Sequence, residues 1–207
     1  MTFNLETGKY YVSTLLTSIS QNLFGIENFT ADVGTDLTIY DTSGVNIITT
    51  SSGNDTIHSK SGNDTITTGA GNDTVYLGSG VYNVDLGAGD DKVYLNTETS
   101  IINGNTGTDE AVVRQFDGFV DVVVDLKLGT YYVPSKLPSM DGMELPLQGF
   151  EKVTIDGQVN AEIYGTVAAD ILVGDSGADK ITGRAGADTL TGGTRTDTFI
   201  FTSGDTG

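Results

Sequence analysis

Apolar and polar positions between Thr50 and Leu95 recur every nine residues. Position 8 of the unit is always apolar, at Ile57, Ile66, Val75, Val84 and Val93, and the register reaches Ile39 and Ile48 upstream and Ile102 and Ala111 downstream. Side chains alternate between the faces of a strand, so position 8 turns inward while positions 7 and 9 meet solvent. Glycine falls at position 4, in Gly53, Gly62, Gly71, Gly80, Gly89 and Gly107, and aspartate at position 6, in Asp55, Asp64, Asp73, Asp91 and Asp109. The pattern predicts nine units over residues 32–112, each a glycine-rich turn leading into a three-residue strand.

Units such as SSGNDTIHS, KSGNDTITT, GAGNDTVYL and GAGDDKVYL resemble the hemolysin-type calcium-binding nonapeptide, or RTX repeat, G-G-x-G-x-D-x-U-x. The resemblance implies an all-β chain built as a parallel β-roll, a calcium-binding β-helix solenoid. Two units then make one turn, and residues 18 apart stack at the strand spacing of about 4.8 Å.

That stacking sorts position 6 into two columns, Leu37, Asp55, Asp73, Asp91, Asp109 on one edge and Asn46, Asp64, Tyr82, Ser100 on the other. Carboxylates at that separation repel by roughly 1 kcal/mol even at the dielectric of water. A hard divalent cation sharing carboxylate and carbonyl oxygens between turns removes the penalty. Calcium fits best, because it accepts six to eight oxygens in irregular geometry where magnesium demands an octahedron. The first edge is expected to hold about three ions, and the second only one near Asp64.

A second block repeats the arrangement: GTVAADILV, GDSGADKIT, GRAGADTLT and GGTRTDTFI carry Asp170, Asp179, Asp188 and Asp197 in register, with Gly177 and Gly186 at position 4. Asp170 stacks on Asp188 and Asp179 on Asp197, so both edges are expected to bind calcium. Ala168 and Arg195 replace the position 4 glycine in the outer units, which leaves the terminal sites incomplete. The lead-in is also duplicated: Gly25, Glu27, Thr30, Asp32, Ile39 and Tyr40 recur as Gly149, Glu151, Thr154, Asp156, Ile163 and Tyr164. The expected organisation is a cap and lead-in over 1–31, a first roll over 32–112, connecting strands, a loop and a second lead-in over 113–155, and a second roll over 156–207. Phe3, Leu5, Tyr10, Val12, Leu15 and Leu16 are expected to cover the open end of the first roll. Residues 120–133 alternate like strands, and the stretch up to 146 reads as a proline-bounded loop.

Composition narrows the class of function. Twenty-eight glycines against three prolines suit tight β turns, and a formal charge of −18 disfavours nucleic acid and anionic membrane as partners. With no cysteine there is no disulfide framework. The N-terminus has neither a basic region nor a long enough apolar run for a cleaved signal or a membrane span. The RTX resemblance implies type I export by an uncleaved C-terminal signal, hence a secreted or cell-surface location. Because RTX arrays are normally followed by further sequence, the chain is expected to be a domain of a longer protein, an adhesin, surface-layer protein or exoprotein.

Other chemistry is thinly represented. His58 faces outward at position 9 in a column with Tyr40, Tyr76, Tyr94 and Val112, read as cross-strand stacking, with polysaccharide binding or docking of another protein domain as the alternatives. One histidine without cysteine excludes a zinc centre, and neither H-E-x-x-H nor G-x-S-x-G occurs. The outward threonine rows are too interrupted for an ice-binding face. The expectation is a non-enzymatic calcium module, its rival a carbohydrate-active lyase or epimerase that would require Arg114, Lys127 and Asp125 to gather at a cleft.

Overall fold

The structure is a computed structural model of the 207-residue chain and describes residues 2–6, 9–11, 27–31, 34–95, 100–114, 121–132, 145–202 and 205. Two compact units are present, Met1–Gly107 and Thr108–Gly207. All regular structure among the described residues is β.

The first unit contains β1 (Thr2–Asn4), β2 (Lys9–Tyr11), β3 (Asn28–Thr30), β4 (Thr38–Tyr40), β5 (Ile47–Thr49), β6 (Thr56–His58), β7 (Thr65–Thr67), β8 (Thr74–Tyr76), β9 (Asn83–Asp85), β10 (Lys92–Leu95) and β11 (Ile101–Asn103). Alternate strands build opposite sheets, one running β2-β1-β4-β6-β8-β10 and the other β3-β5-β7-β9-β11. Pairing is parallel with an 18-residue offset, as in Ile39↔Ile57 and Ile57↔Val75, so two nonapeptides make one solenoid turn. Even the turns are laddered, through Ser52↔Ala70 and Ala70↔Ala88.

The inward ladder matches the sequence pattern. Ile39, Ile48, Ile57, Ile66, Val75, Val84, Val93 and Ile102 are at most 1% exposed. On the outside, Tyr40, His58, Tyr76 and Tyr94 stack nearly parallel, with centroids 4.5, 4.6 and 4.4 Å apart. The ring faces are spent on one another, which is the stacking expected of this column. At the unit's start, β1 pairs antiparallel with β2 and parallel with β4, while Leu5 is buried and Phe3 meets Phe29 at 4.8 Å. Val12, Leu15 and Leu16 lie outside the described residues, as do Gly25 and Asp32.

The second unit contains β12 (Glu110–Arg114), β13 (Asp121–Asp125), β14 (Thr130–Tyr132), β15 (Leu145–Gln148), β16 (Lys152–Asp156), β17 (Asn160–Tyr164), β18 (Ile171–Val173), β19 (Lys180–Thr182), β20 (Thr189–Thr191) and β21 (Thr198–Phe199). One sheet runs β12-β16-β18-β20 and the other β15-β14-β13-β17-β19-β21. The strand pattern expected over 120–133 is, within its described residues, the β13–β14 hairpin, closed at Gly129 (φ 67°). The loop expected over 133–146 lies mostly outside the described residues, and its end, from Leu145, is β15.

The duplication is visible bond by bond at a constant offset of 124 residues. Asn28 pairs with Ile47 as Lys152 pairs with Ile171, and Thr38 with Thr56 as Glu162 with Lys180. The Glu27 carbonyl accepts from Ile47 N (2.7 Å), and the Glu151 carbonyl from Ile171 N (2.9 Å). Both units place an antiparallel hairpin on the same side, β1–β2 beside β4 and β13–β14 beside β17. The stretch between the repeat blocks therefore does for the second unit what the N-terminal strands do for the first. Inside, Ile163, Leu172 and Ile181 are fully buried, but Phe199, at the last position 8, is 40% exposed.

Candidate metal centre

Position 6 aspartates sit at the end of a turn, where the chain enters a strand and the side chain points into the roll. Along the ladders Oδ1 accepts the backbone N–H of the residue one full turn earlier: Leu37 N to Asp55 (2.8 Å), Asp55 N to Asp73 (2.7 Å) and Asp73 N to Asp91 (2.7 Å). Asp170 departs from this, accepting Thr166 N (2.6 Å) at Oδ2. The second unit repeats this with Ala161 N to Asp179 (2.7 Å), Asp170 N to Asp188 (3.0 Å) and Asp179 N to Asp197 (3.1 Å). The columns deduced from the 18-residue period are thus physical ladders within each unit. Asp109 belongs to the second unit, where its N–H meets Glu151 Oε2 (3.0 Å), so a lead-in glutamate takes the acceptor place that aspartates fill elsewhere.

The other carboxylate oxygen distinguishes the sites. Oδ2 of Asp55, Asp73 and Asp179 is buried and meets no hydrogen-bond donor. The hydroxyls of Thr50 and Thr68 lie beside Asp55 and Asp73 but give their protons to carbonyls, Thr68 O (2.6 Å) and Leu86 O (2.5 Å). An ionised oxygen left this way costs about 1–3 kcal/mol or more unless a cation meets it. Burial accordingly raises the pKa of Asp55 and Asp73 and pushes Asp179 up to about 6, and it also raises that of Asp170, whose Oδ2 accepts from Thr166 N and hydroxyl. Buried carboxylates with an unused oxygen, stacked in a glycine-lined turn, are the donor set a calcium ion takes. Among the described residues no three acidic or histidine side chains converge, so the remaining ligands would be backbone carbonyls.

Position 4 glycines bring those carbonyls close. At Gly71 φ is +128°, and a Cβ there would lie 2.1 Å from the Gly53 carbonyl oxygen. Gly62, Gly89, Gly107 and Gly186 back in the same way onto the oxygens of Gly44, Gly71, Gly89 and Ala168, while Gly53 packs on the Thr35 backbone and Gly177 on the Val159 carbonyl. Residues without this freedom pay strain: Arg195, at a position 4, adopts φ 81°.

Residues 38–66, 49–82 and 164–199 match the RTX calcium-binding nonapeptide repeat, four copies. The chain carries RTX calcium-binding repeats. No curated protein matches the chain.

The RTX units of the two blocks differ at position 1. In the second block it is glycine, and a Cβ on Gly174, Gly183 or Gly192 would fall 2.2–2.4 Å from Oδ2 of Asp179, Asp188 or Asp197. In the first block the same place holds Asp41, Thr50, Ser59, Thr68, Leu77, Leu86 and Leu95, all buried, and glycine returns only at Gly104. The RTX pattern assigns these residues no role, and their inward direction was not read from the sequence.

On the second edge of the first unit this substitution makes a different centre. Ser59 Oγ lies 2.6 Å from Asp41 Oδ2 and 2.9 Å from Asp64 Oδ2, while Asp64 Oδ1 accepts Asn46 N (2.8 Å). One hydroxyl proton serves only one of the two carboxylates at a time, so this contact favours a proton on the pair as the pH falls. Burial pushes Asp41 up to about 6 and also raises Asp64. Tyr82 fills the next place in the column, 1% exposed, with its hydroxyl donating to Ser79 O (3.2 Å), and Ser100 Oγ accepts Tyr82 N (3.1 Å). Both Asp64 oxygens are thus engaged inside the protein, unlike those of Asp55 and Asp73.

A second ladder went unnoticed in the sequence, although the Gly-Asn-Asp triplets contain it. Position 5 side chains accept from the turn that follows: Asp36 from Asn54 N (2.8 Å), Asn54 from Asn72 N (2.7 Å), Asn72 from Asp90 N (2.9 Å) and Asn160 from Ala178 N (3.0 Å). The lyase reading would set Asp125 beside Arg114 and Lys127. Asp125 is clamped by both guanidinium nitrogens of Arg184 (2.8 and 2.7 Å).

Proposed function

We propose that this chain is a non-catalytic calcium-dependent module of a secreted or cell-surface protein, an adhesin, surface-layer protein or exoprotein, folding when it meets calcium outside the cell. The buried, donor-less Oδ2 atoms of Asp55, Asp73 and Asp179 support this reading more than any other observation. Bound calcium would supply the positive charge these columns lack. The protein's own residues do the rest: position 6 carboxylates tie each turn to its neighbour, position 4 glycines admit the carbonyls, and the position 8 ladder provides a small core.

At low calcium, stacked carboxylates and a net charge of −18 oppose closure of the roll. At the millimolar calcium of extracellular modules, binding free energy becomes folding free energy. In this reading Asp55, Asp73, Asp91 and Asp109, with Asp170, Asp179, Asp188 and Asp197, are the ligands. Far-UV circular dichroism during a calcium titration, with magnesium as control, tests it. A cooperative gain of β signal with calcium alone is expected, and a chain fully folded in chelator and indifferent to calcium would reject the switch.

A further inference from the structure

The outer face of the second unit carries a cavity that the calcium reading leaves unused. It has a volume of about 460 Å³ and opens over β13, β17 and β19, with Tyr132 of β14 at its side. The strand registers explain why it is there. Tyr132 pairs with Val123, Val123 with Glu162 and Glu162 with Lys180, which sets these four residues in one row across the sheet. Asp121, paired with Asn160, begins the neighbouring row. Short Val123 stands between long Tyr132 and long Glu162, so the row is low in the middle and high at both ends.

The lining is amphiphilic in a specific way. Tyr132, 40% exposed, and Val123 give an apolar wall and floor. Around them stand a carboxylate, Asp121, an amide, Asn160, and the Glu162–Lys180 pair at 2.7 Å. Asn160 is fixed by two bonds, donating to Asp121 (3.2 Å) and accepting from Ala178 N (3.0 Å). Glu162 accepts from Lys180 and from the Tyr164 hydroxyl (3.1 Å), and chiefly the Lys180 bond holds its pKa low, so it is ionised. The rim offers both donors and acceptors, and its two carboxylates outnumber its one cation.

We infer that this cavity is a binding subsite for a neutral saccharide. A pyranose has an apolar C–H face that suits an aromatic ring and an edge of hydroxyls that both donate and accept, and a polar pocket of this size on a rigid sheet matches that shape. The excess negative charge disfavours uronic acids and phosphorylated ligands. The subsite does not require the calcium reading, only that the second unit be folded.

Saturation-transfer NMR on the full chain in calcium tests this directly, with cellobiose, lactose and mannobiose as probes and digalacturonic acid as the anionic control. The expected result is transfer from aromatic protons to ring C–H protons of at least one neutral disaccharide, retained in Tyr132→Phe and weakened about tenfold in affinity in Tyr132→Ala. Val123→Arg, which fills the floor from an outward position, should abolish it while circular dichroism stays unchanged. No transfer from any neutral probe, transfer from digalacturonic acid alone, or equal binding by Val123→Arg would overturn the assignment. The dichroism control separates a failure of the subsite from a failure to fold.

Discussion

The backbone N–H of Asp55 donates to Oδ1 of Asp73, one turn on, across 2.7 Å, while the Oδ2 of each carboxylate stays buried without a donor. One oxygen serves the protein ladder and the other is left for something the protein does not supply.

Central positions in such a column face a gap on either side. Asp73→Ala is therefore expected to lower calcium stoichiometry by about two ions, measured by titration calorimetry. Tyr82→Ala, on the other edge, should leave stoichiometry unchanged. Equal losses would mean that the columns have been assigned to the wrong edges.

The calcium-free protein should show an inverted acid response. Burial pushes Asp41 and Asp179 up to about 6 in the folded chain, against 3.8 for the ordinary carboxyl. Between those values the folded state binds more protons than the unfolded one. The stability they contribute is therefore fully present below pH 3.8 and is lost as pH rises through about 6. In far-UV circular dichroism the calcium-free chain should lose β signal as pH rises from about 4 to about 7.5. Saturating calcium should reverse the trend, because protons compete with the ion for the same oxygens.

The demand for glycine at position 4 differs between units, being strict at Gly71 and slack at Gly44. Gly71→Ala forces a Cβ to within 2.1 Å of the Gly53 oxygen at φ +128° and is expected to cost at least about 2 kcal/mol in denaturant unfolding with calcium present. Gly44→Ala, whose added carbon would sit 3.6 Å from Thr42 Oγ1, should fall within about 0.5 kcal/mol of wild type.

Arg184 holds Asp125 through two nitrogens from a backbone at φ 69°. A lysine cannot make that fork, so Arg184→Lys should destabilise the second unit by about 1 kcal/mol, the pair being only partly buried. The shift in thermal midpoint would report it. An unchanged midpoint would mark the clamp as dispensable.

Much of this was legible because a nine-residue period specifies both which side chains turn inward and, through pairs of units, which residues stack. Ile39 on Ile57 and Asp55 on Asp73 follow from counting alone, and so did the duplicated lead-in. What escaped notice depends on direction within the turns, where no period separates inside from outside. Asp41 and Ser59 occupy a place the RTX pattern gives to glycine, so nothing in the pattern announces that they point inward and meet Asp64. Glu151 joins the aspartate ladder from outside the repeat register. The saccharide cavity depends on Val123 lying opposite Tyr132, a pairing set by a hairpin rather than by the repeats.

Because a turn spans two nonapeptides, the array has parity. Removing one nonapeptide would move every later residue to the opposite sheet and edge, dropping Tyr82 into the column of Asp55 and breaking the aromatic row that runs through His58. Deleting 18 residues would shorten the roll by a turn and leave both columns whole, since bonded partners stand 18 apart. Lengthening or shortening such a chain in evolution, or by design, is therefore tolerated only in even steps.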